Sequence, residues 1–371
     1  MINKRGLSNV IVTLIIIVIS LIAVGLVWVV VQNLIEGETD EISLGFVTVD
    51  LEIKDVKVQG NNTEVKVKRK IGEGEISGLK FIVSDGVNTE VIDKKNVNMS
   101  QLEEKTFILT SAELGNIVLI KEISVAPIFK LGSGEEKIGN VVDKFEFTNE
   151  KVLQDIGAVS WWRFEGNAQD EISGNHGVIY GNTTQTNTGK FGNAFYFDGN
   201  GDYVDSGNGN SLKIVDTITI GAWIKTNADM NYCGLNGNYG VMAKANATLP
   251  SGGTVWSWQL RFGAPDACNL GFQFNKNVGS TWVNVGQNLT QGEWYHVFGV
   301  FNGTTARSYL NGVKIQEISF PAGSLKDTNS PLVIAQEGWE NFFDGTIDEV
   351  MIFNRALTDK QVEALYEMDF S

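Results

Sequence analysis

The stretch GEWYHVFGVFNGTTARSYLNGV, residues 292–313, decides the fold of the carboxy-terminal half of the chain. Its runs EWYHVFGVF and ARSYL are typical of β-strands. Asn311-Gly312 lies between SYL and VKI, and this dipeptide is a strong signal for a two-residue type I′ hairpin. The stretch therefore predicts consecutive antiparallel strands.

The rest of this half continues the pattern. Beyond a predicted linker, Asn149–Gly157, the chain is rich in Gly, Asn and Trp. Further strand signals are VSWWRFEG, NAFYFDG, TITIGAWIKT, VWSWQLRFG, LGFQFN and DEVMIF. A capping box of Thr358 and Gln361 predicts a short closing helix, with Val362, Ala364 and Leu365 able to face the sheet.

Five motifs occur in the order seen in LamG-like domains. They are WWRFEGNAQDEISGNHGVIYG (161–181), FYFDGNGDYVD (195–205), TIGAWIKT (219–226), the opening stretch (292–313) and GTIDEVMIFNRALTDKQVEALY (345–366). The carboxy-terminal half thus resembles that family. The resemblance implies that residues 155–371 form a concanavalin A-like jelly roll of two packed antiparallel sheets. It also implies calcium and carbohydrate or protein as common ligands, although a fold alone establishes none of them.

Oxygen-bearing side chains crowd the loop after the first strand of this half, namely Asn167, Asp170 and Asn175. Calcium takes its ligands from carboxylates, Asn side chains and backbone carbonyls. Because the first and last strands are neighbours in a jelly roll of this kind, we expect Asp348 to complete a calcium cage. The alternative is ordinary loop chemistry, since Asn, Asp and Gly also form Asx turns.

Sugar sites combine an aromatic face with nearby polar groups. In VWSWQLRF, the period of two places Trp256 and Trp258 on one face of the strand, and Gln259 and Arg261 on the other. The candidate ligand-binding residues, which include two Trp expected to be exposed, are Trp256, Trp258, Arg261, Trp282 and Trp339. Packing between the sheets is the alternative for most of these Trp.

Catalysis is not expected. Retaining glycoside hydrolysis needs two carboxyls about 5–5.5 Å apart, and the paired-carboxylate pattern E-x-D-x-x-E is missing from the sequence. GTIDEV supplies Asp348 and Glu349, but adjacent strand residues point to opposite faces. The two histidines, His176 and His296, leave little room for Ser-His or Cys-His catalysis.

Two covalent features are expected outside the cell. Cys233 and Cys268 are the only cysteines, and an even count favours a disulfide over two free thiols. Sequons for N-glycosylation occur at Asn61, Asn98, Asn182, Asn246, Asn288 and Asn302. About four would arise by chance at this composition, so their number is weak evidence for a glycoprotein.

The middle of the chain, residues 42–148, predicts a second β-domain. From Gly45 onward, Val47, Val49 and Leu51 alternate with polar residues, and short strand-like runs follow one another between turn residues. Several short strands in such a segment favour an immunoglobulin-like β-sandwich.

The amino terminus carries a long apolar run. From Val10 to Val31 there is no charged residue, which is enough for a helix that spans a bilayer. Lys4 and Arg5 precede the run and acidic residues follow it, so the positive-inside rule places the amino terminus in the cytoplasm and the rest outside. Residues 7–36 are therefore predicted to form a transmembrane or assembly helix.

Lys4-Arg5-Gly6, followed by Leu7, resembles the class III signal of archaeal type IV pilins and archaellins. The resemblance implies that the basic leader, residues 1–6, is cleaved between Gly6 and Leu7. It also implies that the apolar helix then packs with its copies in the core of a filament. A plain single-span anchor is the alternative.

The formal net charge of −15, from 29 basic and 44 acidic residues, argues against nucleic acid as a partner. Taken together, the strand patterns and the amino-terminal resemblance predict a mainly β protein at the cell surface. It is expected to polymerise into a type IV pilus-like filament from a membrane-inserted precursor. Its jelly roll is expected to bind carbohydrate or a surface protein for adhesion. The rival interpretation is a membrane-anchored lectin that does not polymerise.

Overall fold

The computed structural model describes residues 49–59, 62–72, 74–130, 136–227, 240–246, 255–263, 269–276, 279–287, 289–319, 321–337 and 341–371. The chain divides into two compact units, of which the first ends at Phe147 and the second comprises Thr148–Ser371. Within the described residues both units are built mainly from antiparallel β-strands.

The described part of the first unit, from residue 49 onward, forms eight strands and one helical turn. They are β1 (Leu51–Gln59), β2 (Asn62–Arg69), β3 (Ile76–Ser84), β4 (Thr89–Lys95), β5 (Glu104–Leu109), α1 (Ser111–Leu114), β6 (Glu122–Lys130), β7 (Glu136–Ile138) and β8 (Asp143–Glu146). One sheet has the order β1-β2-β5, and the other has the order β4-β3-β6-β7 with β8 also paired to β6.

Alternation along the strands gives each sheet of this unit one apolar face. On β2, Val65 and Val67 are fully buried while the intervening Lys66 is exposed. The rings of Phe81 on β3 and Phe107 on β5 lie 5.4 Å apart and join the two sheets. The first unit is therefore a β-sandwich with its core between the sheets.

The described residues of the second unit form fifteen strands, two α-helices and a 3-10 helix at Asn210–Leu212. In chain order the strands and α-helices are α2 (Asn149–Asp155), β9 (Ala158–Trp162), β10 (Val178–Tyr180), β11 (Thr184–Thr186), β12 (Ala194–Asp198), β13 (Tyr203–Asp205), β14 (Ile218–Thr226), β15 (Gly240–Asn246), β16 (Val255–Gly263), β17 (Asn269–Lys276), β18 (Gly279–Gln287), β19 (Tyr295–Phe301), β20 (Thr305–Leu310), β21 (Val313–Ser319), β22 (Leu332–Ile334), β23 (Asp344–Phe353) and α3 (Asp359–Glu367).

Two large antiparallel sheets make up this unit. The seven-stranded sheet has the order β10-β13-β22-β15-β16-β17-β18, and the eight-stranded sheet has the order β11-β12-β23-β14-β19-β20-β21 with β9 also paired to β23. One apolar core, with Trp162, Phe262, Phe272 and Phe274 among its largest members, fills the space between them. The predicted jelly roll, with its first and last strands as neighbours, is confirmed.

Short helices flank the sheets where the sequence supplies caps. The capping box of Thr358 and Gln361 is formed at the start of α3, which buries Val362 and Leu365 as expected. The segment predicted as a linker instead forms α2, because the Thr148 side chain accepts a hydrogen bond from the Lys151 backbone and caps it.

The predicted fold class needs one correction. The described residues contain three short helices and no long apolar one, so the fold class is mainly β, and the expectation of a long apolar helix as part of it is wrong. In this part of the chain no helix has the length and apolarity needed to cross a membrane. The segment for which the long helix was predicted, residues 7–36, lies outside the described residues.

Candidate functional site

The outer face of the seven-stranded sheet is the face turned away from the core of the second unit. On β16, Trp258, Leu260 and Phe262 point inward and belong to the core. Gln259 and Arg261 alternate with them and therefore lie on the outer face. We call this outer face the binding face.

A bulge changes the side on which Trp256 lies. In the pairing of β15 with β16, Lys244 is opposite Trp258 and Ala245 is opposite Trp256, so Ser257 is an extra residue. Trp256 is partly exposed and packs with Ala245 outside the main core, whereas Trp258 is buried within it. The prediction that the two Trp share one face is therefore wrong, because a bulge breaks the period of two.

A straight row of register partners crosses the binding face from edge to edge. One residue comes from each of the seven strands, and the row is Val178, Asp205, Val333, Ala243, Gln259, Gln273 and Trp282. The side-chain amides of Gln259 and Gln273, next to Trp282 in this row, are joined by a hydrogen bond of 2.6 Å. The row thus places polar groups beside an aromatic ring.

The Trp282 indole packs directly over Gly271 on the neighbouring strand. A Cβ atom at Gly271 would overlap the ring, so any larger residue would displace it. The guanidinium of Arg261 is 5.5 Å from the ring centroid, and its Nε lies 3.3 Å from a carboxylate oxygen of Glu337. Burial raises the pKa of the Glu337 carboxyl. The charge of Arg261 and a hydrogen bond from the Asn341 amide act in the opposite direction but do not cancel this effect.

Of the five predicted ligand-binding residues, the fold brings Trp256, Arg261 and Trp282 to the binding face. Trp258 is 2% exposed and belongs to the core, as the alternative of packing between sheets expected. Trp339 lies outside the described residues.

The residues predicted to bind calcium form two separate hydrogen-bond networks. The Asp170 carboxylate accepts hydrogen bonds from the backbone N–H groups of Trp161, Ile172, Ser173 and Asn175. It also accepts from the Asn175 amide, and Asn167 on the exposed surface accepts from the backbone N–H of Gln169. These contacts match the Asx-turn alternative.

Asp348 is held elsewhere. Its carboxylate accepts from the backbone N–H groups of Lys190, Phe191 and Glu349, at 2.8 to 3.1 Å. Among the residues that the structure describes, no group of three or more His, Cys, Asp or Glu side chains is placed to hold a metal ion. A cation at Asp170 or Asp348 would face N–H donors rather than free oxygens, so these residues do not fit the predicted calcium cage.

A second bulge brings Asp348 and Glu349 to the same side of β23. Ile347 and Val350 both point into the core, with two residues between them rather than one. Glu349 has a φ of 49°, and the register with β14 shifts at this point. The argument that adjacent strand residues must point to opposite faces therefore fails here.

Both carboxyls are fully buried on the outer side of the eight-stranded sheet. Glu349 accepts a hydrogen bond from the indole N–H of Trp161. Burial raises the pKa of Asp348 to about 7, although three backbone N–H groups oppose the shift. Burial and the neighbouring Asp348 raise the pKa of Glu349 to about 9.

The covalent features stay predictions. Cys233, Cys268, Gly6 and Leu7 lie outside the described residues. Three sequon residues are exposed on the surface, namely Asn98, Asn182 and Asn302. Asn61 and Asn288 are not described, and only the backbone of Asn246 is, in β15.

Sequence reasoning missed three residues of the binding face. Tyr180 and Tyr203 are direct register partners at its edge, and Gln273 lies in its central row. The motif that contains Tyr203, residues 195–205, contributed only to the resemblance to LamG-like domains. The available signal was a tyrosine in each of two short strands, β10 and β13. That these two strands pair with each other is decided by the tertiary structure and could not be predicted from the sequence.

Comparisons with known proteins agree with this architecture. Residues 198–363 match a laminin G family model described as the concanavalin A-like lectin/glucanases superfamily. No curated protein matches the chain.

Three solved structures are similar to 57% of this chain. Domain 4 of an extracellular GH43 arabinanase from Geobacillus stearothermophilus, in complex with arabinotriose, has 19% identity, a TM-score of 0.44 and 98% of its own length covered. The binding domain of Paraclostridial mosquitocidal protein 1 has 17% identity, a TM-score of 0.45 and 52% covered. The ligand-binding domain of botulinum neurotoxin serotype D, in complex with N-acetylneuraminic acid, has 17% identity, a TM-score of 0.43 and 50% covered.

This chain therefore spans about half the length of the two toxin domains. With identities below 20% and TM-scores below 0.5, these similarities carry no conclusion about what this protein binds. The family match and the two packed antiparallel sheets together identify the second unit as a LamG-like domain of the concanavalin A-like type.

Proposed function

We propose that the protein binds carbohydrate on the binding face of the LamG-like domain, and that it is not an enzyme. The observation that carries this proposal is the Trp282 ring packed over Gly271, with Arg261 and the Gln259–Gln273 amide pair beside it. An aromatic ring offers an apolar surface to the C–H face of a sugar, and neighbouring amide and guanidinium groups bind its hydroxyls.

Binding without hydrolysis is favoured by where the carboxyls lie. The adjacent pair Asp348 and Glu349 is fully buried on the other sheet, out of reach of a substrate. On the binding face, the Glu337 carboxylate is engaged by Arg261 and by the Asn341 amide.

The test is affinity electrophoresis of the full-length protein in native gels that contain soluble polysaccharides. A detergent without a sugar headgroup is needed, because residues 10–31 are almost wholly apolar. We expect at least one polysaccharide to retard the protein, and Trp282→Ala to lose most of the retardation while Trp282→Phe keeps part of it.

The matched control is Ile315→Ala, because Ile315 is an exposed apolar residue on β21 at the edge of the other sheet. This variant should migrate as the wild type does. Equal retardation of wild type and Trp282→Ala would refute the site, and no retardation in any polysaccharide would refute carbohydrate binding.

We propose separately that the domain is displayed outside the cell on a pilus-like filament formed by copies of the chain. Support comes from the sequence alone, in Lys4-Arg5-Gly6 before Leu7 and the uncharged segment 10–31. Mass spectrometry of the mature protein should find Leu7 first, and Gly6→Val should block processing. An intact Met1 or Ile2 terminus on a monodisperse, membrane-extracted protein would refute the filament and favour the anchored lectin.

A further inference from the structure

A second aromatic platform lies at the far edge of the binding face from Trp282. The rings of Tyr180 and Tyr203 are stacked at 4.6 Å with only 4° between their planes, and Phe342 lies 6.1 Å from Tyr203. Tyr180 lies on β10, the edge strand that pairs with β13, and is 42% exposed. We call Tyr180, Tyr203 and Phe342 the edge platform.

The edge platform is continuous with the Trp residues of the proposed site. Tyr203 and Trp256, both partly exposed, pack from either side on a floor of small residues formed by Ala243, Ala245 and Val333. Aromatic rings thus follow one another across the sheet in the order Tyr180, Tyr203, Trp256 and Trp282.

The series of aromatic rings from Tyr180 to Trp282 is longer than a single sugar or a disaccharide. Tyr180 is on the first strand of the seven-stranded sheet and Trp282 is on the last. Neighbouring strands lie about 4.8 Å apart, so the two rings are anchored about 29 Å from each other across the sheet. A ligand that contacts both ends must be a chain of several sugar rings.

The charges along the face favour an uncharged ligand. Asp205 stands in the row of register partners, and Glu337 offsets the charge of Arg261. The chain as a whole carries a formal charge of −15. A polyanion would meet the Asp205 carboxylate and the net negative charge of the chain, a repulsion that salt only partly screens.

We infer that the ligand is an uncharged polysaccharide that lies lengthwise across the seven strands and contacts both the edge platform and Trp282. This inference rests on the proposed function, since it assigns the ligand class of the same site. It assigns the edge platform as a second subsite, which only a ligand longer than a few sugars can reach together with Trp282.

The experiment uses the full-length protein in two steps. Affinity electrophoresis first compares neutral polymers (arabinan, xylan, mixed-linkage β-glucan and galactomannan) with the anionic polygalacturonate and heparin. Isothermal titration calorimetry then follows oligosaccharides of the best polymer, from the disaccharide to the octasaccharide. The variants are Trp282→Ala, Tyr180→Ala and Tyr180→Phe, and Ile315→Ala is the control.

We expect a neutral polymer to bind best and the affinity to keep rising beyond the trisaccharide. Tyr180→Ala should weaken octasaccharide binding about fivefold or more, as expected for truncation of a contact residue, and leave the disaccharide unaffected. Tyr180→Phe should bind as the wild type does, because it keeps the ring. Trp282→Ala should weaken ligands of every length.

The contrary outcomes separate the two proposals. An affinity that stops rising at the trisaccharide, with Tyr180→Ala neutral, would overturn the second subsite while the site at Trp282 stands. Preferred binding of polygalacturonate or heparin would overturn the uncharged class. If no polymer and no oligosaccharide binds, both the inference and the proposed function fail.

Discussion

Glycines act at single positions in each of the two sheets of the LamG-like domain. Gly271 leaves room for the Trp282 indole to lie against the backbone of β17. At Asn311-Gly312, φ values of 49° and 79° form the predicted type I′ turn between β20 and β21. Gly271 is needed because the indole ring approaches the backbone closely, and Gly312 is needed because its φ is positive. Both properties follow from the absence of a Cβ atom in glycine.

Gly271→Ala should displace Trp282 and abolish polysaccharide retardation, because the new Cβ would overlap the indole ring. We expect a loss of stability of about 1–3 kcal/mol from the overlap, measured by urea unfolding. The matched control is Gly286→Ala on the neighbouring strand, where the new Cβ would meet the Leu310 side chain at 3.3 Å. Unchanged binding by Gly271→Ala would show that the orientation of Trp282 does not matter.

Asp170 pins its loop through hydrogen bonds from four backbone N–H groups. Asp170→Ala leaves these buried donors without partners, and we expect a loss of at least about 3 kcal/mol in the free energy of unfolding. Excess calcium or a chelator should leave the melting temperature of the wild type unchanged, since the carboxylate is already occupied. A melting temperature that rises with calcium would instead support the metal site predicted from the sequence.

At the scale of elements, bulges decide which side chains share a face. One extra residue in β16 separates Trp256 from Trp258, and another in β23 brings Asp348 and Glu349 together. In β23 the consequence is electrostatic, because two carboxyls are buried side by side. Arg163, whose Nε lies 3.7 Å from Glu349, offsets only part of this cost.

The buried pair predicts a pH dependence of stability. The folded-state pKa of Glu349 is raised from 4.5 to about 9, so its protonated form favours folding. This stabilisation is present below a pH of about 4.5 and is lost as the pH rises toward 9. Glu349→Gln keeps an oxygen for the Trp161 N–H and cannot ionise, so its unfolding free energy should fall less than that of the wild type over this range.

The measurement is urea unfolding at several pH values, with Glu367→Gln on the exposed surface of α3 as the control. The control should follow the wild type throughout. Parallel curves for the wild type and Glu349→Gln would mean that the pair does not govern the stability in this range.

At the scale of the whole molecule, the two outer faces of the LamG-like domain differ. Tyr366 of α3 stacks on Trp223 at 5.5 Å, and Phe370 lies 5.6 Å from Trp161, so the chain's own last residues cover part of the eight-stranded sheet. The binding face instead presents Tyr180, Trp256 and Trp282 with part of their surface exposed. This difference favours the seven-stranded sheet over the eight-stranded sheet as the surface of the proposed site.

The disulfide is a prediction about the domain as a whole. Cys233 lies between β14 and β15, and Cys268 between β16 and β17. Closing a loop of about 35 residues should add roughly 3–4 kcal/mol to the unfolding free energy, measured with and without reductant. Two thiols that alkylate in the native protein would exclude the bond.

The sequence by itself determined the features that depend on neighbours along the chain. Alternation in YHVFGVF, the Asn311-Gly312 turn and the Thr358–Gln361 cap predicted strands, a hairpin and a helix that the structure contains, because each rests on local backbone and side-chain preferences. The five motifs also indicated the jelly roll, which the family match confirms. Of the proposed site, Trp256, Arg261 and Trp282 were predicted from residue type, and their role in binding stays a prediction.

Only the tertiary structure decided which residues meet. The row from Val178 to Trp282 joins strands that are far apart in sequence, and its register follows from how the core residues pack. The bulges at Ser257 and Glu349 reverse the alternation because packing of the flanking core residues takes precedence over the period of two. Likewise, the Asp170 carboxylate is surrounded by N–H donors because the loop folds back on it, which no spacing of Asn and Asp along the chain reveals.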